Sequence, residues 1–177
     1  MIFNFKFLFI ILSLLSLGSN YLVFKSNIFQ TVLLHDAAED LYSLKIDDLK
    51  SISFEYPSLA INSIPISTYL SRYYTNEKEY RKAIKLLENS KISNPYNLYS
   101  KYFLSRNFVL MGDLQKAQQE LKSIFDITPR LESSSVLYLS VLGQLKKEEI
   151  LKELFPKIQK TENEVIMNYY RINLQLS

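Results

Sequence analysis

His35-Asp36 with Glu39 is the one cluster in this 177-residue chain whose side chains could ligate a metal or relay a proton. A protein metal site needs three or four ligands, and imidazole and thiolate donors dominate the tight ones. The chain has a single His and no Cys, so the cluster reads as polar positions on a helix face. Lack of Cys also removes disulfides and thiol nucleophiles. The acid pairs Asp47-Asp48, Glu148-Glu149 and Glu162/Glu164 are adjacent or nearly so. They read as solvated charge, or as acids in first helical turns where the macrodipole favours them. No nucleophile elbow, phosphate-binding glycine loop or His-Glu-x-x-His pattern occurs, and only 3 Gly are present to build one. The expectation is a non-enzymatic chain with no catalytic residue, no cofactor and no metal.

Charge narrows the partners. Of 21 basic residues, Lys6 and Lys25 flank the apolar N-terminus, leaving 19 basic against 18 acidic residues beyond Lys25. That balance is too even for a dedicated nucleic-acid binder. Phe, Ile, Asn, Lys and Tyr, all with AT-rich codons, are abundant, so a lone Tyr says little about binding.

Met1 to Phe24 carries one charged side chain, Lys6, and the uncharged stretch Phe7–Phe24 is 18 residues. Roughly 20 apolar residues cross about 30 Å of hydrocarbon. Residues 1–25 are therefore expected to be a signal-anchor or transmembrane segment. The alternative is a signal peptide: Phe7–Leu17 has the length of its apolar region, and Ser16-Leu17-Gly18 offers small residues for cleavage. The terminal amine and Lys6 precede the span and Lys25 follows it, which favours a cytoplasmic N-terminus and an extracytoplasmic (periplasmic) remainder. Cleavage would instead give a secreted protein.

Beyond the span the chain repeats. A shift of 34 residues places Leu70-Ser71-Arg72 on Leu104-Ser105-Arg106, Tyr74 on Phe108, Ala83 on Ala117, Leu87 on Leu121 and Pro95 on Pro129. Apolar residues recur at helical spacing from Ile64 to Asn76, a polar turn Asn76-Glu77-Lys78 follows, and a second helix runs from about Glu79 to Lys91. Ser93-Asn94-Pro95 ends it, because proline lacks the amide a helix needs. The next unit repeats the scheme: a helix over about 97–111, the turn Gly112-Asp113, a helix to about Asp126, then Thr128-Pro129. Gly112 suits a left-handed helix end. Ala83 and Ala117 fall where paired helices approach closely, so a larger residue there should separate them.

This pattern resembles the tetratricopeptide repeat (TPR) family. Its signature positions are filled by Leu70, Ser71, Tyr74, Ala83, Leu87 and Pro95, then by Leu104, Ser105, Phe108, Ala117, Leu121 and Pro129. The departures are Ser67 and Lys101 where the family favours Trp, and Ser where Gly is common. The resemblance implies an all-α fold, a TPR-type solenoid of about three to four antiparallel helix pairs preceded by an N-terminal hydrophobic helix. Residues 26–63 would be a divergent first repeat ending in a short insertion, Ala60–Ser63; there Leu49-Lys50-Ser51-Ile52 matches Leu121-Lys122-Ser123-Ile124, each eight residues before a proline (Pro57, Pro129). Residues 64–131 would be two clear units. Residues 132–177 would be a degenerate unit, with Leu151 replacing the signature Ala, and a capping helix from Ile166.

In such folds the first helix of each pair lines a concave groove. The resemblance places Thr68, Arg72, Asn76, Tyr99, Tyr102 and Arg106 there, with Val136, Ser140, Gly143 and Gln144 in the next unit. Arg72 and Arg106, one repeat apart beside two tyrosines, could hold carboxylates while apolar side chains bury. Arg72 to Lys122 holds 10 basic and 5 acidic residues, but not the Lys/Asn set of the members that bind chaperone C-termini. The implied role is a membrane-anchored scaffold for protein–protein interaction in a bacterial envelope complex. Two alternatives follow from similar arrangements: an accessory of envelope polysaccharide synthesis, since the Asn94-Pro95-Tyr96 boundary is similar to extracytoplasmic TPR tails of O-antigen ligases and polymerases, or a mitochondrial outer-membrane import receptor.

Overall fold

The computed structural model describes residues 5–50 and 58–177. Its elements are helices: α1 (Phe5–Ala38), α2 (Ile46–Lys50), α3 (Ile66–Asn76), α4 (Tyr80–Ser93), α5 (Leu98–Leu110), α6 (Leu114–Ile127), α7 (Glu132–Gln144), α8 (Glu148–Gln159) and α9 (Glu164–Leu176). From α3 to α6 consecutive helices pack on one another in an antiparallel stack. Ser51, Ile52 and Pro57 of the first-unit match lie outside the described residues.

Local chemistry sets the helix ends. Side-chain oxygens of Asn97, Asp113 and Asn163 accept the backbone N–H of Ser100, Lys116 and Ile166 at 2.8, 3.2 and 3.0 Å, capping α5, α6 and α9. At the far end of α3, α5 and α7 the chain turns through a left-handed residue: Lys78 (φ 60°), Gly112 (80°) and Lys146 (52°). These three positions are spaced by the sequence period. Each is followed by an N–H that reaches back five residues, Glu79 to Tyr74 O, Asp113 to Phe108 O and Lys147 to Leu142 O, at 2.8–3.0 Å. That double closure satisfies helix-end carbonyls and reverses the chain. Asp40 (φ 52°) makes the same corner after α1, where Leu41 N–H donates to Asp36 O. Ala60–Ser63 folds into a tight turn, Ser63 N–H donating to Ala60 O and Ala60 N–H to Ile64 O.

The small residues sit where the spacing predicts. Ser71, Ser105, Ala83 and Ala117 are fully buried between helices. The third pair departs, and the reason is steric. Leu151 stands in place of Ala and is also fully buried, and α7 makes its main contact with α9 instead of α8. Gly143 on α7 admits α9: a Cβ there would lie 2.9 Å from Asn173 Cβ.

Two apolar clusters make the core. The larger joins Leu104, Phe108, Leu121, Phe125, Tyr138, Leu142, Leu151 and Ile166 across α5–α9. The smaller ties Leu33 of α1 and Leu49 of α2 to Ile66, Tyr69, Leu70 and Tyr73 of α3.

α1 is one unbroken rod of 34 residues, about 51 Å at 1.5 Å per residue. It crosses the 25/26 boundary without a break, because no Gly or Pro intervenes between Lys25 and Ala38. An 18-residue window in it has mean hydropathy 2.0 and none of it is buried. Phe5, Phe7, Phe9, Leu14, Leu15 and Leu17 are all exposed. The last turns behave differently, with Leu33 and Asp36 buried and Leu34 and Ala37 packed on the smaller cluster. This helix is therefore long and apolar enough to cross a membrane or to serve as a signal sequence, and its C-terminal third is part of the domain.

Candidate docking surface

The six groove residues inferred from sequence divide into two groups. Thr68 is fully buried. Its hydroxyl donates to Ser90 Oγ at 3.0 Å and shares a hydrogen bond with Ser100 Oγ at 2.7 Å, so it ties α3 to α4 and α5 and does not face solvent. Arg72 is only 5% exposed. Its guanidinium donates to Asp40 Oδ1 at 2.7 Å and lies over the rings of Tyr42 and Phe103, 5.5 and 5.9 Å from their centroids. The segment after α1 thus folds across α3 and closes the groove at this level. Asn76 is exposed at the end of α3.

Tyr99 and Tyr102 are half-buried. Tyr99 leans on Tyr69 and Phe103 at 6.4 and 4.7 Å between centroids, and Tyr102 meets Phe103 edge-on at 5.5 Å. Burial raises the pKa of Tyr69, Tyr73 and Tyr99, with Arg72 opposing it weakly. These phenols therefore stay neutral through the physiological range and present ring faces plus neutral hydroxyls.

Arg106 is the exposed member of the pair, and among the described residues no acid bonds it. It shares its surface with Tyr102 and with Leu110, which is 46% exposed. One repeat along, Ser140 and Gln144 of α7 line a hollow of about 420 Å³ with Tyr169, Ile172 and Leu176 of α9. Gly143 lines the same hollow and is itself buried against Asn173. The accessible face therefore runs over α5, α7 and α9, whereas the α3 end of the groove implied by the resemblance is covered at Thr68 and Arg72. It combines one free guanidinium with apolar side chains.

Asp36 is the functional-looking residue whose role the sequence hides. It is buried, accepts the Ser43 N–H at 2.7 Å and the Ser43 hydroxyl at 2.8–2.9 Å, and accepts the Tyr73 hydroxyl. Burial pushes its pKa up, but the bonds from Tyr73 and Ser43 outweigh that and hold it below 3.8. Asp36 is a pin between α1, the following turn and α3, with neighbouring His35 largely exposed. Among the described residues no group of three His, Cys, Asp or Glu side chains converges on a point that could hold a metal. No protein-family model, no curated protein and no solved structure matches the chain.

Proposed function

We propose that the chain is a membrane-anchored TPR-type scaffold that docks a protein partner in a bacterial envelope complex and performs no catalysis of its own. One observation carries the reading: a fully exposed apolar helix continues without a joint into a stack of helix pairs whose outer face keeps an unpaired Arg among aromatic and aliphatic side chains. The left-handed corners at Lys78, Gly112 and Lys146, one sequence period apart, support the TPR-type assignment. The helix supplies attachment through residues 1–25. The repeat domain lies on the extracytoplasmic side, as Lys6 ahead of the span favours.

On this reading Tyr102, Arg106 and Leu110 of α5, with Ser140 of α7 and Ile172 of α9, receive a partner segment bearing a carboxylate beside apolar side chains. Arg binds such a carboxylate through two parallel N–H donors, and aromatic and Arg side chains are the residues that dominate interface energetics. The test is recovery of the C-terminally tagged chain from mildly solubilised native membranes, with partner stoichiometry and the intact N-terminal mass both read by mass spectrometry. A stoichiometric membrane partner with Met1 retained supports the reading. A chain recovered alone and beginning near Ser19 refutes the anchored scaffold.

A further inference from the structure

We infer that the edge of the domain formed by its inter-repeat loops is a lipid-contact surface that rests on the bilayer crossed by α1. The inference builds on the anchor reading above and adds an orientation and a second membrane site.

α3, α5 and α7 begin at one edge of the stack, and α4 and α6 end there. The loops and helix ends at that edge carry the three most exposed apolar side chains of the repeat domain, Ile61 at 90%, Tyr96 at 88% and Ile92 at 82%, with Ile127 at 64% beside them. Asn94 Nδ2 donates to Ser63 O at 2.9 Å and ties the first two of these loops together. Isolated exposed apolar residues are ordinary, but a row of them along one rim marks an interaction surface.

α1 identifies the occupant. Asp36 near its C-terminus bonds Tyr73 near the C-terminus of α3, and the corner at Asp40 repeats those after α3, α5 and α7. α1 therefore runs alongside α3 in the same direction. Seven residues back along both helices, about 10 Å, Phe29 comes level with Ile66, the first residue of α3, and the loop carrying Ile61 lies beyond it. Burial agrees, because Ser26, Phe29 and Gln30 are partly covered whereas the residues just before them are exposed. The uncharged span ends at Phe24 and Lys25. The point where α1 leaves the hydrocarbon thus lies about 6 Å beyond the start of α3, on the side of the rim loops, and a helix without a joint holds the rim at that height.

Several charges on the same edge are bonded within the protein, and exposed Arg130 donates to the Lys160 carbonyl. Lys91 pairs with Glu120, Asp126 with Lys122 and Lys157, and Glu132 accepts from Asn163. The contact at Ile61, Ile92 and Tyr96 is apolar and interfacial, the depth at which Tyr is favoured.

The chain has no Trp, so single Trp substitutions report without background. The full chain would be reconstituted in phosphatidylcholine vesicles, with or without bromine near the headgroup end of the acyl chains. Three variants are compared: Tyr96→Trp on the rim, Met111→Trp at the opposite edge, and Phe9→Trp in the span. Far-UV circular dichroism confirms the fold, and neither Tyr96 nor Met111 belongs to a core cluster. The expected result is loss of emission for Tyr96→Trp and Phe9→Trp, and none for Met111→Trp. Loss for Phe9→Trp alone overturns the lipid-contact surface and leaves the anchor standing. A blue-shifted but unquenched Tyr96→Trp means a protein covers the rim, which also overturns it. Equal loss at both edges refutes the orientation, and no loss for Phe9→Trp removes the anchor and the inference together.

Discussion

Asp40 and Arg72 form a pair in which the buried partner should be the less damaging one to replace. The Arg72 side chain is 5% exposed and that of Asp40 84%. Removing Asp40's charge leaves a guanidinium among Tyr42, Tyr99 and Phe103 without its counter-ion. Breaking a buried pair from one side costs about 3–5 kcal/mol. Asp40→Asn retains an acceptor and the left-handed tolerance that φ 52° requires, so we expect about 2 kcal/mol, within the range of a charge-assisted hydrogen bond. Arg72→Met keeps the apolar stem and releases Asp40 into water, where it is solvated. Replacing a buried charge by a residue of similar volume should cost less than about 1.5 kcal/mol. The double variant should match Arg72→Met alone, giving a coupling of about 2 kcal/mol in a double-mutant cycle. Urea unfolding of the full chain in detergent, followed by circular dichroism, reads this as a midpoint drop of about 1 M for Asp40→Asn. Single-variant costs that simply add, or a milder Asp40→Asn than Arg72→Met, would show that Asp40 does not hold Arg72. Arg72→Glu, by the same geometry, should place a carboxylate against Asp40 and unfold this end of the domain.

Other outcomes follow from single positions. Gly143→Ala should destabilise by about 1–3 kcal/mol, because the new Cβ meets Asn173 Cβ at 2.9 Å and must push α9 from α7; thermal melts and protection of α9 amides from exchange read it. Lys78→Gly and Lys146→Gly should each stabilise by about 0.5–1 kcal/mol in the same melts by relieving left-handed backbone at φ 60° and 52°. Gly112→Ala, at φ 80°, should lose about 1 kcal/mol although space is open around it. The Tyr73 and Ser43 bonds hold the Asp36 carboxyl below the ordinary aspartate range, so its contribution is complete above the unfolded value and disappears as pH falls through its lower folded pKa. Asp36→Asn should therefore flatten the acid limb of a stability-against-pH curve below about pH 4.

The helices of the repeat region were legible because their signals are local and periodic. Gly112, Pro95, Pro129 and the Ala83/Ala117 spacing locate turns and close contacts with no knowledge of distant residues. What the period could not reveal depends on chain segments far apart. Arg72 and Arg106 occupy equivalent positions, yet only Arg72 is covered, because the turn after α1 brings Asp40 and Tyr42 over it. Gly143 has the same periodic position as Thr75 and Val109, but α9 packs against it there. Asp36 reads as an ordinary surface acid until Tyr73, 37 residues away, reaches it. α1 was divided at Lys25 by composition, whereas its backbone carries no break there.

Arg106→Glu isolates the docking face from the rest of the fold. Arg106 is exposed and outside both core clusters, so the variant should melt like the parent. Quantitative recovery of the membrane partner by tagged parent and variant chains, expressed at equal levels, is the measurement. We expect the partner to be lost with Arg106→Glu and retained with Arg106→Lys at reduced yield. Undiminished recovery with Arg106→Glu would contradict this expectation and take the face over α5, α7 and α9 out of consideration.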